Sequence, residues 1–128
     1  QQSLASSTVS LSNSIYDFRV ENGRTYHAYR DGTYVGPNDE QELDRLDLQH
    51  NLFVRSFDGR LGNATPNYPG SKVGRVLDVG TGSGIWAIDF GEEHPEARVI
   101  GIDLSPPRTV FVPPNVQFEI DDIEQPWN

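Results

Sequence analysis

The sequence predicts an α/β fold with a parallel sheet, and three observations predict it. Arg75-Val76-Leu77-Asp78-Val79 is a short apolar run of strand type that leads straight into Gly80-Thr81-Gly82-Ser83-Gly84. Ile85, Trp86, Ile88 and Phe90 then follow with helical periodicity to about Glu93, and His94-Pro95-Glu96-Ala97 ends that helix because proline cannot continue it. Arg98-Val99-Ile100-Gly101-Ile102 reads as a second strand, closed by Asp103. The result is a β–glycine loop–α–β–Asp unit, a connection that is right-handed and delivers the loop to the carboxyl end of the first strand.

Composition bounds the rest. The chain has 128 residues, enough for one domain, with 35% apolar and 23% charged residues, which suits a globular chain. No apolar run approaches the roughly 18 residues of a membrane span. No basic segment precedes an apolar stretch near the start, so no secretory signal is read there. The absence of cysteine excludes disulfides, thiolate metal sites and cysteine nucleophiles. The net charge is −9, both halves are acidic, and a basic nucleic-acid footprint is absent. The expected location is intracellular, in the cytoplasm and/or the nucleus. The chain opens at Gln1 and has no methionine, so it is expected to lack residues at its front.

Residues 1–14 carry six serines and no charge and are expected to form a flexible tail. Residues 15–74 are expected to form an N-terminal cap. Within it, Asn22-Gly23 and Asp31-Gly32 are hairpin-turn signals flanked by Phe18, Val20, Tyr26, Ala28, Tyr34 and Val35, which predicts a small β-meander. Tyr16, Tyr26, Tyr29 and Tyr34 are dense enough to line a ligand, although half-buried packing is the favoured reading. Pro37 ends the extended stretch and Asn38 is the expected N-cap of a helix over 38–54, with Gln41 completing a capping box. Leu43, Leu46, His50 and Phe53 share one face of that helix. His50 is either a catalytic base or, preferentially, a histidine bonded in a helix-to-core contact, with Asp47 three residues earlier as a partner. Residues 55–74 read as a linker, and the sequon Asn63-Ala64-Thr65 is taken as chance.

The chemistry sits in residues 75–128. Glycines after a strand let a backbone approach a ligand without a Cβ in the way. The helix start presents free N–H donors and positive potential. Asp103 lies 23 residues after Gly80, near the spacing expected of a ribose-binding carboxylate. The dinucleotide fingerprint G-x-G-x-x-G would place its third glycine at 85, which is isoleucine here; the glycine comes one earlier, at Gly84. Asp78, two residues before the loop, would oppose a pyrophosphate and suits a ligand with a cationic amino group or sulfonium. The pattern therefore favours S-adenosylmethionine over NAD or FAD as the cofactor. His27, His50 and His94 are widely spaced and show no metal-ligand pattern.

The stretches 76–87, 99–106 and 113–127 resemble class I S-adenosylmethionine-dependent methyltransferases. More narrowly they are similar to the fungal methyltransferases related to the velvet-complex regulator of secondary metabolism, and residues 21–29 and 37–50 share that similarity. The resemblance implies a partial Rossmann-like fold: the first three parallel strands in the order 3-2-1, preceded by the meander and a capping helix. It implies that Gly80, Thr81, Gly82 and Gly84 form the loop along the methionine moiety, with Asp78 helping to hold its amino group. Asp103 would take the ribose hydroxyls and Leu104 would pack on the adenine. Asp122 would accept from the adenine amino group, and the Ile123 backbone would read the ring edge. Asp121 is a rival for Asp122, and a simple strand-end turn is the alternative for both. No catalytic residue is named. A velvet-type regulator is the protein partner the resemblance implies.

Two departures accompany the likeness. Thirteen residues separate Ile102 from Val116, and prolines 106, 107, 113 and 114 leave no room for a crossover helix, so an extended connection is expected. Three strands are fewer than the seven of a complete sheet, so the chain is expected to be the N-terminal portion of a longer enzyme. Three functions stay open: part of a methyltransferase acting on an unidentified acceptor, a degenerate cofactor-binding subunit acting through protein partners in transcriptional regulation, or a nucleotide-dependent oxidoreductase domain.

Overall fold

The computed structural model describes residues 16–108 and 111–126. The expected serine-rich tail therefore lies outside the described residues. The elements are β1 (Arg19–Glu21), β2 (Arg24–Tyr26), α1 (Glu40–Ser56), β3 (Arg75–Val79), α2 (Ile85–Glu93), β4 (Arg98–Asp103) and β5 (Val116–Ile120), with a single 3₁₀ turn at Thr65–Asn67. The three long strands pair in parallel in the order β3-β4-β5, with Val76 opposite Val99 and Val99 opposite Val116. The described part of the connection between β4 and β5 holds no helix, as its prolines require.

The sheet and α2 make the core. Phe90 and Val99 are fully buried and pack with Ala87, Ala97, Val116 and Leu61. Phe90 lies between the rings of Trp86 and His94, with centroids at 5.1 and 4.3 Å. Trp86 donates its Nε1–H to the carbonyl of Leu61 at 3.0 Å, which ties the segment between α1 and β3 into this core. A Cβ at Gly91 would stand 2.3 Å from Val116 Cγ2, so α2 approaches β5 as closely as only glycine permits. Asn115 donates its Nδ2 amide to the carbonyls of Gly91, His94 and Ala97, each at 3.0 Å.

The cap differs from its expected form in two places. The meander is a two-stranded hairpin: β1 and β2 pair across the Asn22-Gly23 turn, and no third strand follows. The second turn does form, with Thr33 N–H donating to Arg30 O at 3.1 Å. The residues after it form no strand, and Tyr34 and Val35 are left 56% and 89% exposed before Asn38 N–H returns to Thr25 O of β2 at 2.8 Å. The helix begins two residues later than expected, because Asp39 is its N-cap and accepts from Glu42 N–H at 3.0 Å. Asn38 is committed elsewhere: its Oδ1 accepts from the Thr25 hydroxyl at 2.8 Å and its Nδ2 donates to Ser105 Oγ at 3.1 Å.

Asp39 also forms a two-bonded ion pair with Arg24 of β2, with Nη2 to Oδ1 at 2.9 Å. The guanidinium hydrogen bond holds the Asp39 carboxyl down at about 2, against an ordinary value of 3.8. A carboxyl whose folded value lies below its unfolded one stabilises the fold at every pH above the unfolded value, and that contribution disappears as pH falls from about 4 to 2. Asp39→Asn should therefore lower the melting temperature by a constant amount between pH 7 and 5. The gap to the parent should close below about pH 4, as thermal melts across that range would show.

Candidate functional site

The glycine loop, the tips of β4 and β5, and the cap enclose one cavity of about 610 Å³. Its floor is built at the carboxyl ends of the parallel strands, where ligands bind in open α/β sheets. Gly80 and Thr81 N–H both donate to Ile102 O, at 2.9 and 3.0 Å, so the loop bends over the end of β4. Gly82 takes a φ of +59° and turns its N–H to Asp103 Oδ2 at 2.8 Å. That left-handed conformation is open to glycine at little cost.

Asp103 ends β4 and faces the cavity. Its other oxygen, Oδ1, accepts from Leu104 N–H at 2.7 Å. Ser105 N–H adds a longer bond to the same oxygen at 3.4 Å. A carboxylate has about four acceptor positions, so these three backbone donors fix its orientation and leave capacity for a ligand hydroxyl. Leu104 lines the cavity beside it. At the tip of β5, Asp121, Asp122 and Ile123 line the far end. Asp122 is 6% exposed, whereas Asp121 is exposed. The strand-end turn is present as well: Asp122 Oδ1 accepts from Glu124 N–H at 3.0 Å, and Arg30 of the cap lies 3.7 Å from its Oδ2. The turn and a cavity-facing carboxylate thus coexist in one residue.

Two of the expected site residues do not line the cavity. Asp78 is turned beneath the loop, where its Oδ2 accepts from Thr81 Oγ1 at 2.7 Å. Burial pushes its carboxyl above the ordinary carboxylate range; the Thr81 hydrogen bond works against that, and the nearby charge of Asp103 adds to it. In this geometry Asp78 buttresses the loop. Gly84 takes a φ of +85° at the N-cap of α2, and a Cβ there would stand 2.8 Å from the Phe118 ring and 3.1 Å from Pro107. It is the packing position that lets α2 start against β5 and the connection after β4. Gly80, Thr81, Gly82, Asp103, Leu104, Asp122 and Ile123 do come together around the cavity.

The roof comes from the cap. Leu43, Leu46, His50 and Phe53 line the cavity, so the predicted helix face is the one turned to the site. Leu46 touches the loop, since its Cδ1 would stand 3.1 Å from a Cβ at Gly82. His50 is bonded through Nε2 to Asp89 Oδ2 of α2 at 2.8 Å. Its partner is therefore not Asp47, which is occupied by Arg108 at 2.6 Å. Of the four tyrosines only Tyr34 lines the cavity; Tyr26 and Tyr29 carry the guanidiniums of Arg19 and Arg30 at 5.1 and 5.7 Å. His27, 2% exposed and bonded to Arg30 O at 3.1 Å, also lines it and was not anticipated. No spacing in the sequence marks His27.

Arg108 is the other unanticipated residue. From the connection after β4 it reaches α1 and pairs with Glu40, Asp44 and Asp47 at 2.7, 2.6 and 2.6 Å. These bonds raise its pKa above the ordinary guanidinium value. With the Asn38–Ser105 bond, they fasten the roof to the floor. The acids at 40, 44 and 47 fall on one helix face, and that spacing was the available signal.

Among the described residues no cluster of His, Asp and Glu could hold a metal ion, and no helix is long and apolar enough to cross a membrane. The family described as "Methyltransferase domain" matches residues 48–128. The chain belongs to this methyltransferase family. The match begins within α1 and takes in the glycine loop and all three parallel strands. The methyltransferase pytC of Aspergillus terreus is 46% identical over 123 residues, covering 95% of this chain and 37% of that protein. The secondary metabolism regulator laeA of Aspergillus flavus is 47% identical over 111 residues, covering 86% of this chain and 29% of that protein. The protein-methionine methyltransferase laeA of Emericella nidulans is 45% identical over 111 residues, with the same coverage of 86% and 29%. The chain thus spans about a third of the length of these methyltransferase relatives. No solved structure gives a significant match.

Proposed function

We propose that this chain is the S-adenosylmethionine-binding portion of a methyltransferase acting in fungal secondary metabolism or its regulation. The observation that carries the reading is the charge inventory of the cavity. Glu42, Asp103, Asp121, Asp122 and Glu124 line it, and among the described residues no arginine or lysine does. A dinucleotide would bring a pyrophosphate into this acidic enclosure with no arginine or lysine among the described lining residues to meet it. A nucleoside bearing a sulfonium and an ammonium group meets complementary charge instead.

The residues present fit that cofactor. Asp103, held by the backbone N–H groups of Gly82, Leu104 and Ser105, accepts from the ribose, and such bonds to a charged acceptor contribute about 1.5–3 kcal/mol each. Leu104 and Ile123 supply apolar contact and backbone polarity on either side of the base, with Asp122 as acceptor for its amino group. Gly80, Thr81 and Gly82 run along the methionine end. When bound, the cofactor supplies an electrophilic methyl group. The chain's own contribution is orientation and exclusion of water, the main requirements of a direct displacement. No residue here is assigned to the chemical step, and the acceptor is left open.

Relatives named as secondary metabolism regulators favour a second reading, in which the domain binds the cofactor and acts through a protein partner. A velvet-type regulator is the partner that the sequence resemblance suggests, in the cytoplasm or nucleus. Isothermal titration calorimetry of the protein with S-adenosylmethionine and with NAD tests the shared cofactor assignment. Heat with the former and none with NAD is expected. The reverse pattern would return the chain to the oxidoreductase reading.

A further inference from the structure

The cavity that suits a sulfonium and an ammonium leaves one group of the cofactor unprovided for. The methionine end also carries a carboxylate, and the walls hold five carboxylates against it. The basic side chains among the described lining residues are His27 and His50. They lie at opposite ends. His27 is bonded to Arg30 O, and Arg30 in turn lies beside Asp122 at the tip of β5, the nucleoside end. His50 belongs to the other end. It stands one helical turn after Leu46, the side chain that touches Gly82, and Asp89 that holds it stands one turn after Ile85 at the start of α2.

From this placement we infer that His50, oriented by Asp89, is the partner of the cofactor's methionine carboxylate. This rests on the cofactor reading above and gives that site a specificity-determining residue from the cap. The Nε2–Asp89 bond of 2.8 Å fixes the ring and leaves the second ring nitrogen for the ligand. The start of α2 adds positive potential from the same side. His50 thereby distinguishes the cofactor from adenosine thioethers that lack the amino-acid end.

The test is calorimetry on the full protein with two probes, S-adenosylmethionine and 5′-deoxy-5′-methylthioadenosine, which keeps the nucleoside and lacks the amino acid. His50→Gln should weaken the first about tenfold, the scale of one charge-assisted hydrogen bond, and leave the second unchanged. His50→Lys should retain the preference for the first probe. The parent protein should bind the first probe more tightly than the second, a measurement that needs no variant to fold. Equal weakening of both probes by His50→Gln would make His50 a structural residue and overturn the inference. So would equal affinity of the parent protein for the two probes. If the parent bound neither probe, the cofactor reading itself would fall, and the inference with it.

Discussion

Asp103→Lys should lower S-adenosylmethionine affinity by about 100-fold or more, because the proposed bonds to a charged acceptor would be lost and a cation placed where the ribose hydroxyls are proposed to sit. The site explains why the loss is compounded. Asp103 Oδ2 also takes the Gly82 N–H, and Oδ1 takes that of Leu104. The substitution therefore removes the acceptor proposed for the ligand together with the latch that shapes the loop. Asp103→Asn separates the two effects, since its carbonyl oxygen still accepts one amide while the charge is gone. Calorimetry on both variants should give a graded series, with the asparagine near a tenfold loss. An unchanged affinity in Asp103→Lys would remove Asp103 from the cofactor site.

Phe90→Ala should cost about 3–5 kcal/mol of stability, the usual range for an aromatic side chain deleted from a core. The upper part of that range applies because the side chain is 1% exposed and stacked on both faces, by Trp86 and by His94. Neither ring can collapse into the space without giving up another contact. Trp86 is tied to Leu61 O, and His94 has Glu96 at 3.4 Å. Urea unfolding followed by tryptophan fluorescence measures this directly, because Trp86 reports on that cavity. A loss below about 1 kcal/mol would mean that α2 does not depend on this stack.

These two residues also show what could be read from the chain alone. The unit from Arg75 to Asp103 was legible because its signals are local: an apolar run, a glycine loop, a helical period and a proline stop within thirty residues. The same holds for the α1 face formed by Leu43, Leu46, His50 and Phe53, which lines the site as the spacing required. Misreadings occurred where a residue had two competent neighbours. Asn38 and Asp39 are both good N-caps, and the choice fell to Asp39 because Asn38 bonds Thr25 and Ser105 instead. Asp47 and Asp89 could each hold His50, but Arg108 claims Asp47. Arg108 itself was illegible, since its partners lie 61 to 68 residues away and nothing local announces them. Tyr34 and Val35 had the composition of a strand and no partner strand to pair with.

Asn115 has a consequence for how the molecule opens. One side-chain amide is shared among three carbonyls that belong to the last turn of α2 and the bend entering β4, while its own backbone carbonyl receives Val99 N–H at 2.9 Å. The C-terminal turn of a helix ordinarily frays on its own, because its carbonyls are satisfied by nothing more than water. Here fraying would also take from Asn115, at the entry to β5, the carbonyls that hold its side chain. Helix end, bend and strand entry are thereby coupled, so the floor of the cavity resists local fraying.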